Sequence, residues 1–333
     1  MKVLIVNSSE VRRLLPMDEC IGVMADALAA LSRGEAIVPL RPILWLPEKI
    51  GALGMMPGFL ASAGALGVKV ITVFQANHGT KYDSHQGAVL LFEAKHGRLL
   101  SIMDASSITA IRTAAVSGVA TRLLARADAR SLAILGSGVQ ARTHLDAMIH
   151  SRPIETVRVW SRDAGHARDF ADRESRRHGI VVTAASSVKE AVRGADIICT
   201  TTSAREPILE GDWISAGAHI NAVGSSVAFA RELDSAAVRR ARLYVDRRES
   251  ALNEAGDFLL ARNEGAVDDN HIVGEIGELL LGRIDGRRAP GEITLFKSLG
   301  LAVEDLAAAN HIYRKAIDSD AGVSVELGGD RDE

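Results

Sequence analysis

Residues Leu132-Ala133-Ile134-Leu135-Gly136-Ser137-Gly138-Val139-Gln140-Ala141 carry an apolar, strand-like run into the spacing G-x-G-x-x-A and then into a helical pattern. That spacing suits the diphosphate of a dinucleotide. Gly136 permits the tight bend, Gly138 lets the backbone approach phosphate oxygens, and Ala141 lets helix and strand pack closely. Ser137, Val139 and Gln140 supply the intervening amides, and the positive end of the helix faces the anion.

A second strand-like run, Thr156–Trp160, ends about 20 residues beyond Ala141, where a ribose-reading residue is expected. An acid there would bind a 2′-hydroxyl, but the chain has Ser161-Arg162. A hydroxyl beside a guanidinium suits a 2′-phosphate, which favours NADP(H). NAD(H) stays possible, because Asp163 would read the ribose if the strand ran further and Arg162 were an ordinary solvated charge.

Three cations stand out by their setting. Arg41 lies between Pro39 and Pro42, Lys69 inside the apolar run 66–74, and Arg112 near the start of a helix of mostly small residues. Buried cations are costly unless paired. No acid lies at an obvious partner spacing, so a bound anion is the expected partner, and two arginines with a lysine suit a carboxylate. Blander readings stand beside this one: Lys69 facing solvent, Arg112 paired with Asp104, and Arg41 on the surface. The polar loop cluster Ser84-His85-Gln86 offers a possible proton donor, although a loop histidine is more often bland.

These residues need elements to place them. A helical pattern follows Pro16, with Cys20, Ile21, Met24, Ala27, Leu28 and Leu31 on one face and Gly34 placed to end it. Residues 66–74, 88–92 and 99–103 read as strands, with a turn at Gly97, and 108–125 as a long helix. Strands are then expected at 131–135, 156–160, 180–183, 196–200, 218–223 and 242–246, alternating with helices. That is the rhythm of an α/β, Rossmann-type doubly wound parallel sheet. The alternation ends near Thr294–Gly300, and a final helix is expected over 302–316. The expected organisation is a mixed α+β domain at 1–120, a nucleotide-binding domain at 121–299, a return at 300–318 and a disordered tail at 319–333.

The length of 333 residues favours two domains. A net charge of −3 gives no electrostatic case for nucleic acid or anionic membranes. Cys20 and Cys199 make neither a disulfide framework nor a metal cluster, which fits a reducing cytoplasm. No run approaches the roughly 18 apolar residues of a membrane helix.

With these residues laid out, the chain resembles the ornithine cyclodeaminase/mu-crystallin family along nearly its whole length, on the side of its ketimine-reductase branch. The resemblance is carried by Met55-Met56-Pro57-Gly58, Gly67-Val68-Lys69, Ser84-His85-Gln86, Leu90-Leu91-Phe92-Glu93 and Met103-Asp104-Ala105. It continues through 108–117, 136–141, 217–224, Glu232-Leu233-Asp234 and 296–300. It implies a homodimer whose first domain, 1–120, is the substrate and dimerisation domain and whose second holds a nicotinamide cofactor. Arg41, Lys69 and Arg112 would hold a carboxylate, with Met56 and Ser226 also at the substrate. Thr113, Thr201, Thr202, Ser203, Val223, Gly224, Ser225, Lys297 and Ser298 would join Gly136–Gln140, Ser161 and Arg162 at the cofactor.

One departure shapes the expected function. In the ornithine cyclodeaminases an aspartate follows the Val-Gly-x segment, whereas this chain has Val223-Gly224-Ser225-Ser226. A hydroxyl is a poor general base there. The resemblance therefore implies reduction of the C=N bond of a cyclic ketimine such as piperideine- or pyrroline-2-carboxylate to an L-amino acid. Lys69 would be the proton donor, with His85 as runner-up. Acyclic imino acids such as iminosuccinate, received by His78, Lys81 and His85, are one alternative. An alanine-type dehydrogenase and a mainly NADPH-dependent ligand-binding protein are others.

Overall fold

Side chains alternate along the strand Ala65–Val73, with Ala65, Gly67, Lys69 and Ile71 on the buried face. Its antiparallel neighbour Ala52–Leu60 puts Gly58 opposite Gly67 and Met56 opposite Lys69. On the other side, strand His85–Glu93 puts Leu91 opposite Gly67 and Val89 opposite Lys69. A lysine therefore sits inside a row that otherwise carries Met56 and Val89.

The final helix Ala302–Asp318 packs on that face, and two glycines make its close approach possible. A Cβ at Gly67 would fall 2.3 Å from the Leu90 carbonyl oxygen and 2.6 Å from Leu306. One at Gly58 would fall 3.0 Å from Ala302. The buried cluster Ala65, Leu91 and Leu306 marks the same contact.

The computed structural model describes residues 2–77 and 79–329. They divide into two units, Met1–Arg112 with Leu301–Glu333, and Thr113–Gly300. The boundary lies ahead of the expected 120/121, inside the helix Ala105–Leu124.

In the first unit an eight-stranded sheet runs in the order 323–326, 2–6, 99–104, 85–93, 65–73, 52–60 and 36–37, with Ile43–Trp45 also paired to Ala52–Leu60. Helix Met17–Ser32 buries Cys20, Ile21, Met24, Ala27 and Leu28, and Gly34 follows at φ +80°. The tail expected to be disordered from 319 is partly ordered. Val323–Glu326 pairs antiparallel with Lys2–Ile5, because alternating Val323 and Val325 fit a sheet edge.

The second unit is an eight-stranded, wholly parallel sheet in the order 181–184, 156–160, 131–135, 197–200, 219–222, 293–297, 241–245 and 272–275. The segment expected to end the alternation, Ile293–Lys297, instead lies inside the sheet, and all five of its residues are buried. Strand Ile272–Glu275 was not foreseen. Its two middle residues, Val273 and Gly274, give too little apolar periodicity to announce it. Among the described residues no helix is long and apolar enough to cross a membrane. Nor do three His, Cys, Asp or Glu side chains gather as a metal would need.

Candidate active site

In the first unit, Lys69 is 2% and Arg112 3% exposed, which removes the solvent-facing reading of Lys69. The expectation that no acid accompanies them is corrected. Helix Ala302–Asp318 carries Glu304 and Asp305 in its first turn, each without solvent exposure. Asp305 Oδ2 lies 2.8 Å from Lys69 Nζ, and its Oδ1 accepts from Arg112 Nε at 2.9 Å. Glu304 Oε2 accepts from Arg112 Nη1 at 2.6 Å. Asp104, the partner considered for Arg112, instead accepts from the Ser107 amide at 2.8 Å.

These acids lie over 190 residues along the chain from Arg112, beyond any spacing rule. The signal that could have found them is two adjacent acids inside the apolar run 301–309. Burial depresses the Lys69 pKa, Asp305 pulls it up, and Arg112 and Arg41 push it down, leaving it at about 8. Thr109 Oγ1 accepts a further bond from Lys69 Nζ at 3.4 Å.

Met56 is buried beside Lys69 in the sheet row, and Arg41 is half-buried. His85 is exposed at the start of its strand, where Ser84 Oγ lies 3.0 Å from its Nδ1. Lys81 is exposed with its ammonium over the Tyr82 ring, and His78 lies outside the described residues.

In the second unit the dinucleotide turn has the shape its glycines imply. Gly136 sits at φ +120°, and a Cβ there would meet Thr201 Oγ1 at 2.8 Å and its carbonyl oxygen at 2.9 Å. A Cβ at Gly138 would meet nothing within 4 Å, so the backbone is open to a ligand. Gly138 caps helix Val139–Ser151 without a side-chain bond, leaving first-turn amides to an anion. Val139 is exposed beside it, and Gln140 Oε1 is buried with no hydrogen-bond partner among the described residues. Ala141 is fully buried against the sheet. The cradle fits a dinucleotide.

Strand Thr156–Trp160 ends as first read, so Ser161 and Arg162 follow it directly. Asp163 is occupied as the cap of helix Ala164–His178, accepting from the Gly165 and His166 amides, which lower its pKa. Ser137 Oγ donates to Ser161 Oγ at 3.0 Å, tying turn and second strand together. Arg162 is exposed.

The remaining residues separate by depth. Ser203 is exposed, while Thr201, Thr202, Val223, Gly224 and Ser226 are half-buried, and Thr113 is 7% exposed. Thr201 Oγ1 donates to the Leu135 carbonyl at 3.0 Å. Ser225, Lys297 and Ser298 are deeper than residues expected to line a ligand. Ser225 Oγ donates to the Ala230 carbonyl, and Lys297 Nζ lies 2.9 Å from Asp257 Oδ2. Sequence reasoning missed Glu232, Asp257 and Asp246 as organising groups. Asp246 Oδ2 accepts from the Leu299 and Gly300 amides at 2.6 and 2.7 Å.

The all-parallel sheet and its glycine turn, in a chain that also carries an α+β unit, define a Rossmann-type α/β protein. The chain belongs to the ornithine cyclodeaminase/mu-crystallin family, whose model matches residues 1–320. It is 44% identical over 290 residues to the ketimine reductase mu-crystallin of Mus musculus, covering 86% of this chain and 88% of that one. It is 36% identical over 325 residues to a Delta(1)-pyrroline-2-carboxylate reductase of Bacillus cereus, covering 97% and 100%. The Thermococcus litoralis Delta(1)-pyrroline-2-carboxylate reductase, solved with NADH and L-proline, superposes with a TM-score of 0.95 at 40% identity. That match covers 97% of this chain and 100% of the other.

Removing Asp305 takes the carboxylate from buried Lys69 and one of two from Arg112, and breaking a buried ion pair costs about 3–5 kcal/mol. Asp305→Ala is therefore expected to lower the urea midpoint well below that of wild type. An unchanged midpoint would show that the cluster does not hold the first unit.

Proposed function

We propose that this chain is a nicotinamide-dependent oxidoreductase that reduces the C=N bond of a small imino acid to an L-amino acid. Cyclic ketimines such as pyrroline- and piperideine-2-carboxylate are the substrates favoured. The observation that carries this reading is the buried cluster around Lys69. Glu304 and Asp305 hold Lys69 and Arg112 in place, the Arg41 charge acts on Lys69, and the reading assigns the substrate carboxylate to these three cations. Cations held rigid by buried acids receive it without first having to order themselves.

When bound, the reduced nicotinamide supplies the hydride that the imine carbon accepts. The chain's own residues bind the carboxylate, keep water from the imine along the Met56 side, and provide the proton that the nitrogen takes up. Lys69, at about 8, holds a proton at neutral pH and can release it. His85 is the second candidate donor. Ser226 supplies no carboxylate, so deaminative cyclisation of ornithine is not the reaction proposed.

We read the cofactor as NADP(H) in preference to NAD(H), because Asp163 is already used as a helix cap and Arg162 is left exposed beside Ser161. We also read the protein as a homodimer. Ile37, Leu44 and Ile50 are 65%, 59% and 60% exposed along one edge of the first sheet, joined there by Ile43 and Trp45. A patch of that kind marks a surface that another protein covers. Sedimentation equilibrium should give twice the 35.4 kDa chain mass, and a monomer would reject this assignment.

Three kinetic outcomes test the reading. NADPH oxidation with pyrroline- or piperideine-2-carboxylate should be level below about pH 8 and fall above it, as Lys69 loses the proton it must give. Lys69→Ala should cost about 100-fold or more in kcat; turnover within about tenfold of wild type would remove Lys69 as the acid. Arg162→Ala should lower kcat/KM for NADPH by about 10-fold or more, the worth of a charge-assisted contact, and leave NADH little changed. Equal losses with both cofactors would reject the phosphate-reading role.

A further inference from the structure

Glu232 is fully buried in the second unit, yet its carboxylate has four partners. Oε1 accepts from the Thr202 amide at 2.6 Å and from Thr202 Oγ1 at 2.7 Å. Oε2 accepts from Thr200 Oγ1 at 2.6 Å and from the Gly224 amide at 2.8 Å. Thr200 ends strand Ile197–Thr200, and Gly224 follows the adjacent strand His219–Ala222. One side chain therefore sets the exits of two neighbouring strands. Thr201, whose two chain neighbours Glu232 grips, is the residue that closes on Gly136 in the dinucleotide turn.

The carboxylate is itself fixed. Asp257 Oδ1 accepts from the Glu232 and Leu233 amides at 2.8 and 2.9 Å, and Asp257 pairs with buried Lys297. Close packing removes any slack, since a Cβ at Gly224 would fall 2.0 Å from the Thr202 carbonyl oxygen and 2.6 Å from Glu232.

We propose that Glu232, seated by Asp257 and Lys297, is a positioning residue for the nicotinamide half of the cofactor, acting through Thr200, Thr202 and Gly224. The inference rests on the reading that the second unit binds a nicotinamide dinucleotide. In a doubly wound sheet the ligand lies beyond the carboxyl ends of the strands at the switch point, one mononucleotide to each half. Here strand Ser131–Leu135 lies at that point, with 156–160 and 181–184 on one side and 197–200 and 219–222 on the other. Ser161 and Arg162 belong to the first half, and everything Glu232 holds belongs to the second.

The chemistry calls for a carboxylate specifically. Each oxygen accepts from a backbone N–H, Thr202 on one side and Gly224 on the other. An amide in either orientation would set an NH2 group against one of them. Glu232→Gln thus preserves volume and breaks one end of the clamp.

The test is fluorescence titration of the full-length chain with NADPH and, separately, with adenosine 2′,5′-bisphosphate, which carries only the first half's groups. Glu232→Gln should raise the Kd for NADPH about tenfold or more while the bisphosphate Kd stays within about twofold. Thr200→Val provides a milder second variant, since the fully buried Thr200 hydroxyl donates to Glu232 and the substitution leaves the backbone in place. It should shift NADPH in the same direction by a smaller factor, and it serves if Glu232→Gln does not fold. An unchanged NADPH Kd, or equal weakening of both ligands, would overturn the proposal. Wild-type protein that binds neither NADPH nor NADH would overturn the dinucleotide reading beneath it.

Discussion

Asp305 holds Lys69 and Arg112 at once, with almost no water present, and the first unit is arranged around that contact. Taking an ion out of water costs several kcal/mol, recovered only where geometry is close and the remaining donors are satisfied. Two apolar side chains of similar volume would give the unit as much stability. What they would not give is a cation that a small anion can use. The acids keep the cluster foldable and fix the cations in place.

That contact in turn dictates features that look unrelated to chemistry. Asp305 reaches Lys69 only if the helix backbone lies almost on the sheet, and Gly58 and Gly67 remove the Cβ atoms that would hold it away. The second unit solves a similar problem with different means. There the strand exits must be fixed to atomic precision, and a buried carboxylate with four donors does what packing alone cannot. In both units a buried acid marks the place where position matters most.

Much of this was legible in the sequence, for identifiable reasons. The glycine turn and the strands flanking it rest on local spacing, and six expected strands of the parallel sheet appear within a residue of their observed bounds. Ser161 and Arg162 were placed by counting along the chain. Lys69 and Arg112 were noticed because a cation in an apolar setting is locally conspicuous. Their partners were not, since Glu304 and Asp305 approach through tertiary packing. Glu232 and Asp257 escaped for the same reason. The tail was misjudged because a short alternating strand at a sheet edge leaves little trace in composition, and Ile293–Lys297 because its position in the sheet is not its position in the chain.

The far separation of Arg112 from its acids also bears on how the chain is made. A ribosome adds about 5–20 residues each second, so the 193 residues between Arg112 and Asp305 take roughly 10–40 s to emerge. Throughout that interval the nascent first unit has its glycine-flattened sheet face uncovered and its two cations without their carboxylates. The second unit, continuous from Thr113 to Gly300, has every strand of its sheet outside the tunnel before the last helix follows. Vectorial synthesis thus makes the middle of this protein the first part able to finish folding, and the beginning the last.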